Sequence, residues 1–398
     1  MSGIARAEED LRYATRFVKP ILGIVGAWPI PVNSSPFTRL VRRIEHVVTY
    51  FLFFLMIVPG LLYVFLKEKN GKIRLKILGP IVNCSIQFFK YSVILYRIDK
   101  IQKSLNTIRR DWIEATDENR LIFRSKAKIG RRVLLIAAAT MYGGGLCYRT
   151  ILPLLRGTIV TPDNVTIRPL PCPVYFVFFN EQRSPNYEIV FILQIMAGFV
   201  TYAVISGTCG MCALFVLHAC SMLRILVNKM NALVDKADMT ETLVHRKIAD
   251  IVEYQTKIKR FLKNIETITE YICLTEMVGG TGLVCLVYYY ILMEWENNNT
   301  TAVIVYITLQ ISCTFCVFIL CYIGQLLIDQ NHVVGLTSCT VNWYRLPNRH
   351  ARSMILIIAM SNYPIKLTAG KMFEMSLASF TDVMKVAMGY FNILREVV

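Results

Sequence analysis

Seven apolar runs, each about 20 residues long, divide this chain, and a helix of that length at about 1.5 Å per residue crosses the hydrocarbon core of a bilayer. They cover residues 47–66, 77–96, 133–155, 189–216, 271–293, 302–328 and 375–394. Lipid offers no hydrogen bonds, so every backbone N–H and C=O in such a run must be satisfied internally. That leaves few architectures, and the runs predict an all-α integral membrane protein with seven transmembrane helices. The fourth run continues apolar as far as Val227, too long for one crossing, and is expected to project beyond the bilayer. Composition agrees: 55% of the 398 residues are hydrophobic and the mean hydropathy is +0.46, above the usual range of soluble domains.

The positive charges set the orientation. Of the Lys and Arg residues, 32 fall in the N-terminal segment and the second, fourth and sixth connections, while 10 fall in or beside the alternate connections and the C-terminal tail. Positive residues stay in the cytoplasm, so the N-terminus is expected inside and the C-terminus outside. The formal charge of +17 reflects those loops, so no nucleic-acid partner is expected. The first 31 residues mix both charge signs and end their short apolar part at prolines; no signal peptide is expected there, and the first span doubles as the targeting signal. Sequons at Asn164, Asn298 and Asn299 fall in loops that this orientation places outside, where glycosylation is possible. Those at Asn33 and Asn83 fall inside and within the membrane.

Motifs of enzymatic chemistry are sparse. The chain has no Walker loop, no HExxH and no nucleophile elbow. Its five histidines share no helical turn, so neither a metal nor a cofactor is expected. The pairs Cys209/Cys212 and Cys313/Cys316 lie inside apolar runs and read as packing residues. Cys172 lies in an outer loop, with Cys147 and Cys84 as candidate disulfide partners. Seven spans with the N-terminus inside reverse the topology of a G-protein-coupled receptor. Nor does Asp-Arg-Tyr follow the third run, or Asn-Pro-x-x-Tyr lie in the seventh. A transporter or enzyme with seven spans needs converging polar groups or paired broken helices, and the glycine clusters near 143 and 279 form no inverted repeat.

Charges inside the runs carry more information. Lys90 lies in the second, Glu276 in the fifth, and Asp382 and Lys385 in the seventh. Lipid penalises such groups, so they are expected to face other helices or water. Asp382 and Lys385 are spaced to pair at i, i+3. The segments 99–132 and 224–268 repeat Leu, Ile and Val at helical spacing among mixed charges, and predict amphipathic helices prolonging the membrane spans into a cytoplasmic anchor.

Three stretches, GIVGAWP near the start, VNWYRLP after the sixth run and MILIIAMSNYPIKLTAGKMFEMSLASFTDVMKVAMGYFNIL at the end, resemble the insect odorant receptor family. The final block is the most specific, and length, span number and topology also match. The chain lacks the Thr-Tyr and Gln-Phe ending of gustatory receptors, a related alternative, and the long insertion of the shared co-receptor, Orco. It therefore resembles a ligand-tuning subunit. The resemblance implies an odorant-gated, non-selective cation channel in the plasma membrane of a sensory dendrite, a heterotetramer with Orco around a central pore. Residues 1–46 would be the cytoplasmic N-terminal segment and 47–328 the first six spans, with the odorant site in their outer half. Residues 329–374 would be the anchor segment and 375–398 the pore-lining helix. A small volatile odorant would contact Phe88, Tyr91, Met141, Gly144, Tyr148, Phe191, Ile195 and Tyr306, and Gly144 would leave it room. Val386, Gly389, Ile393, Glu396 and Val397 would line the pore, with Ile393 and Val397 as the apolar constriction passed by cations.

Overall fold

The computed structural model describes residues 3–31, 34–151, 153–154, 159–160, 166–233, 240–346 and 348–397. Among them, eleven α-helices account for nearly all the structure. Two short N-terminal helices, α1 (Gly3–Thr15) and α2 (Val18–Ile24), precede α3 (Pro36–Leu62), α4 (Gly71–Tyr96), α5 (Ile98–Glu114) and α6 (Asp117–Leu146). Then come α7 (Asn186–Asn231), α8 (Glu241–Glu296), α9 (Thr300–Thr340), α10 (Asn348–Ser361) and α11 (Leu377–Val397). Two-residue strands pair antiparallel as β1 (Ile159–Val160) with β2 (Thr166–Ile167), and β3 (Thr368–Ala369) with β4 (Phe373–Glu374).

The helices start where local chemistry favours starting. Ser35 caps α3 by accepting from the Thr38 amide at 3.2 Å, and Pro36 occupies the first turn, where its missing N–H costs nothing. Thr116 caps α6 ahead of Asp117 and Glu118, whose charges suit the positive end of the helix.

Among the described residues, five helices are long and apolar enough to cross a membrane: α3, α4, α7, α8 and α9. The third apolar run begins on α6 and passes into the turn after it, and the seventh falls on α11; both helices are more polar, α6 opening on a charged stretch and α11 carrying Asp382 and Lys385. The crossing helices α3, α4, α6, α7, α8, α9 and α11 alternate in direction, and contacts identify the two ends of the bundle. At one end, the start of α4, the ends of α6 and α8 and the start of α9 converge: Tyr290 meets Leu75, and Tyr148 meets Tyr306. The last turns of α11 reach this end, where Phe391 lies 6.1 Å from Tyr288. The N-terminal helices pack at the other end on α5, α6 and α7. The two termini therefore lie at opposite ends, as an odd number of crossings requires.

That second end holds the predicted helical extensions. α7, α8 and α9 have 46, 56 and 41 residues. At about 1.5 Å per residue they measure about 70, 84 and 60 Å, roughly twice a bilayer core or more. Their projecting ends pack with α5 and α10 into the anchor. Asn264 donates to Ser104 at 2.5 Å and to the Lys100 carbonyl at 3.2 Å, tying α8 to α5. Gln255 donates to Ser361 at 2.9 Å, tying α8 to α10. Asp111 accepts from His218 at 2.9 Å and pairs with Lys257 at 2.6 Å, joining α5, α7 and α8.

α7 forms the centre. Every side chain from 201 to 223 is buried, against α6, α8 and α9 and, on its remaining side, α2, α3 and α4. α11 has a looser attachment. The β3–β4 hairpin leads into it and docks on α8, where the Gly370 amide donates to the Glu270 carbonyl at 2.9 Å. Gly370 has φ +59°, and a Cβ there would lie 2.8 Å from Leu274, so both the turn and the approach select glycine.

Candidate functional site

Between α4, α6, α7, α8 and α9 lies a narrow cavity of about 30 Å³. α4 supplies Asn83, Ile86 and Gln87; α6 supplies Met141 and Gly145; α7 supplies Tyr202 and Ile205. Glu276, Gly280 and Leu283 come from α8, and Leu309, Ser312, Cys313 and Cys316 from α9. One or two waters fill such a volume, so a larger guest must displace side chains.

Glu276 does not stand alone in this wall. Its carboxylate pairs with the Lys90 ammonium, which is buried between α4 and α8. Removing two such charges from water is costly, and their mutual attraction offsets it only while both partners remain. The two charges seen separately in the second and fifth runs are thus one feature.

A second unpredicted group lies nearby. Arg149, in a π-helical turn over Cys147–Ile151, is 2% exposed. Its Nε donates to the Tyr202 hydroxyl at 3.2 Å and one terminal nitrogen donates to the Gln194 carbonyl at 3.1 Å. The sulfurs of Met56 and Cys84 complete its surroundings at 3.9 and 3.6 Å. Among the described residues no carboxylate pairs with it. The arginine was visible inside the third apolar run, but nothing in the sequence tied it to Tyr202.

Toward the end of the bundle where α6 and α8 finish, the cavity gives way to a tyrosine cluster. Tyr148 and Tyr306 have ring centroids 5.9 Å apart, and Tyr290 and Tyr306 5.5 Å. The Tyr290 hydroxyl donates to the Leu75 carbonyl at 2.6 Å. Lys76 pairs with Glu294 and lies 5.6 Å from the centre of the Tyr306 ring. Leu309 touches both cavity and cluster.

The predicted ligand residues divide accordingly. Met141 lines the cavity, and Tyr148 and Tyr306 meet in the adjoining cluster. Gly144 plays a different part from the one expected: a Cβ there would lie 2.4 Å from Ser312 and 3.1 Å from the Thr308 carbonyl, so its bareness admits α9 and leaves no room for a guest. Phe88 and Tyr91 lie near the opposite end, packed with Tyr50 and Phe53 of α3. There the Tyr91 hydroxyl donates to the Val25 carbonyl at 2.7 Å and lies 2.8 Å from His46, so the protein already satisfies it. Gln87, one residue before Phe88, is the one that reaches the cavity. Phe191 and Ile195 are half-buried on α7, with Phe191 5.9 Å from Tyr187, and neither lines the cavity.

On α11, Val386 and Ile393 are exposed, 47% and 57%, and a Cβ on Gly389 would meet nothing within 4 Å. The side chains of Glu396 and Val397 lie outside the described residues. Asp382 and Lys385 pair at 3.7 Å, both about three-quarters exposed. Asn298 is exposed in the turn between α8 and α9. Asn299 caps α9 and its amide donates to Glu294 at 3.0 Å. Asn164 lies outside the described residues. All twelve cysteines are free thiols, so neither candidate disulfide of Cys172 is formed.

The chain is similar in fold to the insect olfactory receptor OR5 from Machilis hrabei in complex with eugenol, with a TM-score of 0.80 at 15% identity over 98% of this chain and 100% of that one. A second solved structure of the same receptor gives a TM-score of 0.75 at the same identity and coverage. In sequence it is similar to Odorant receptor 30a of Drosophila melanogaster, 23% identical over 61% of this chain, and to Odorant receptor 13a of the same fly, 22% identical over 62%. Those alignments span 63% and 62% of the two relatives. Odorant receptor Or2 of Anopheles gambiae is 20% identical over 60% of this chain and 64% of its own length. The profile of the family described as 7tm Odorant receptor matches residues 74–388. That match spans most of the crossings, the anchor and most of α11, and the chain belongs to the odorant receptor family.

Proposed function

We propose that this chain is the ligand-tuning subunit of an odorant-gated, non-selective cation channel. It works in the plasma membrane of a sensory neuron, as a heterotetramer with the co-receptor Orco. The observation that carries this reading is α11. It is membrane-length and carries many apolar side chains beside its charges, yet among its described side chains only Ala387 is buried. Exposed Val386, Tyr390 and Ile393 need partners, and α11 helices of neighbouring subunits around an axis supply them. On the anchor, Leu336, Ile355 and Leu356 are also exposed, beyond the length a bilayer covers, and fit subunit contacts there.

In this reading a small odorant enters the cavity beside Met141 and the cluster of Tyr148 and Tyr306, gaining affinity by leaving water. Binding of eugenol by the related OR5 fits a guest of that size. The guest widens the contracted cavity and shifts the helices around it. α8 carries the hairpin that holds α11, so the shift reaches the pore. Ile393 and Val397 form the constriction, which closes by dewetting.

Current recordings test this. Co-expressed with Orco, the chain gives ligand-evoked current within milliseconds, reversing near zero potential in mixed sodium and potassium; expressed alone it gives little. Tyr148→Ala raises the half-activating concentration at least about tenfold. Polar residues at Ile393 and Val397 raise the current without ligand. Large currents from the chain alone, in cells lacking Orco, would sink the assembly proposed here.

A further inference from the structure

Among the polar groups of the cavity wall, which also include Asn83 and the paired Glu276, two nearly fully buried ones have hydrogen-bonding capacity of opposite kinds to offer a guest. The first is a donor. The Tyr202 hydroxyl accepts from Arg149 Nε at 3.2 Å, and its own proton has no acceptor among the described residues. Tyr202 is 4% exposed, and its ring and hydroxyl lie against Gly145, which also lines the cavity. A Cβ on Gly145 would come within 2.4 Å of that hydroxyl. A hydroxyl that accepts from a cation is a stronger donor in turn, because each bond in a chain polarises the next. Arg149 is thus a positioning residue: it fixes the direction of the free O–H and strengthens it without needing to touch a guest.

The second is an acceptor. Gln87 is 2% exposed, and its amide nitrogen donates to Asn83 Oδ1 at 3.4 Å. Its carbonyl oxygen is buried with no partner. Buried polar groups are paired in the great majority of cases, so an orphan on a residue that lines a cavity is a place where a partner is expected.

A purely hydrocarbon guest would seal both groups away from water unpaired, and each would then carry its full desolvation penalty. A carbonyl guest satisfies Tyr202 and leaves Gln87 wanting. A hydroxyl both accepts and donates. We infer that the cavity is a hydroxyl-recognition site that tunes this chain to small alcohols or phenols, with Tyr202 donating to the guest oxygen and Gln87 accepting its proton. The inference rests on the cavity being the ligand site. It adds a chemical class and assigns two residues, neither of them aromatic contacts of the predicted kind.

The test uses surface-labelled receptor co-expressed with Orco and dose–response recordings on matched sets. Each set comprises an alcohol, the carbonyl compound of the same skeleton and the hydrocarbon, over linear six- to eight-carbon and benzylic skeletons. The wild type responds to the alcohol at a half-activating concentration about tenfold or more below the hydrocarbon, with the carbonyl compound between. Tyr202→Phe, which keeps the ring, raises the value for alcohol and carbonyl compound alike, about tenfold, and leaves the hydrocarbon unchanged. Gln87→Met raises it for the alcohol alone. Met141→Trp fills the cavity and abolishes all responses. Should Met141→Trp silence the receptor while Tyr202→Phe and Gln87→Met leave the alcohol-to-hydrocarbon ratio unchanged, hydroxyl recognition is overturned and the cavity stands as the ligand site. A wild type that responds equally to alcohol and hydrocarbon overturns it too. Unchanged responses in surface-expressed Met141→Trp overturn the cavity itself.

Discussion

α7 and α11 are both apolar helices of the same chain, yet α7 is buried on every side through residues 201–223 while α11 buries only Ala387 among its described side chains. α11 is the more polar of the two, carrying Asp382 and Lys385, but apolar character alone does not say what covers either helix. A helix apolar all round is at home in a protein core or in lipid, and the remaining chain decides which. α7 is enclosed by six other helices of its own chain. α11 is held along one side by α8 and α9 and offers the rest to lipid, to water or to other subunits. The first helix specifies the fold of the subunit; the second is available to specify what the subunit does with its neighbours.

Substituting a charge at matched places is the harshest way to break this comparison. Ala213, fully buried at the centre of α7, has no partner for a carboxylate. Ala213→Asp is expected to cost several kcal/mol and abolish surface expression. Gly389→Asp on α11 points into open space and is expected to leave the subunit folded, seen as an unchanged monodisperse peak in detergent. Equal losses for the two variants would erase the distinction.

The buried pair behind α7 comes next. Lys90→Met strands the Glu276 carboxylate and is expected to cost about 3–5 kcal/mol, read as a lowered thermal midpoint. Adding Glu276→Met removes the stranded charge and recovers most of it. If the double variant is as unstable as the single one, the pair matters through shape and not charge.

At the anchor, Asp111 sharpens the contrast between enclosed and open parts. Burial pushes its pKa up, but the hydrogen bond and charge of His218, with Lys257, more than offset this and hold it below the ordinary carboxylate value. A lowered pKa means that the stabilisation is complete above the unfolded value and is lost as pH falls through the folded one. Thermal stability is therefore expected to decline on acidification below about pH 4. Asp111→Asn should lower stability at neutral pH by about 1–3 kcal/mol and flatten that decline. An unchanged acid profile in the variant would place the acid-labile group elsewhere. The smallest effect belongs to α11: Asp382→Asn breaks a pair exposed on both sides and should cost under about 1 kcal/mol in subunit stability. A larger loss would mean that α11 packs more tightly than its exposure indicates.

The crossings and their extensions were legible because long apolar runs and helical spacing among charges leave few alternatives. The inner partnerships were not. Lys90 and Glu276 each stood out in an apolar run, but 186 residues separate them and no local pattern joins them. On α4, Phe88 was expected at the ligand, whereas its neighbour Gln87 is the one that lines the cavity. Neighbouring helix positions differ by about 100° in direction, and α4, partly buried on several faces, gives no phase by which to choose. Tyr202 left no trace for the opposite reason. Around it every position of α7 is buried, so apolar periodicity, the usual guide to an inward face, is erased.

Within α8, Glu276 lines the cavity and Glu270 receives the amide of Gly370, the hinge of the hairpin that starts α11. Six residues separate them, about 9 Å along a continuous helix. An α-helix resists stretching over so short a span, so the two points behave as fixtures bolted to one beam. If a guest widens the cavity as proposed, a push at the first point would reach the second, and with it the hairpin that begins α11.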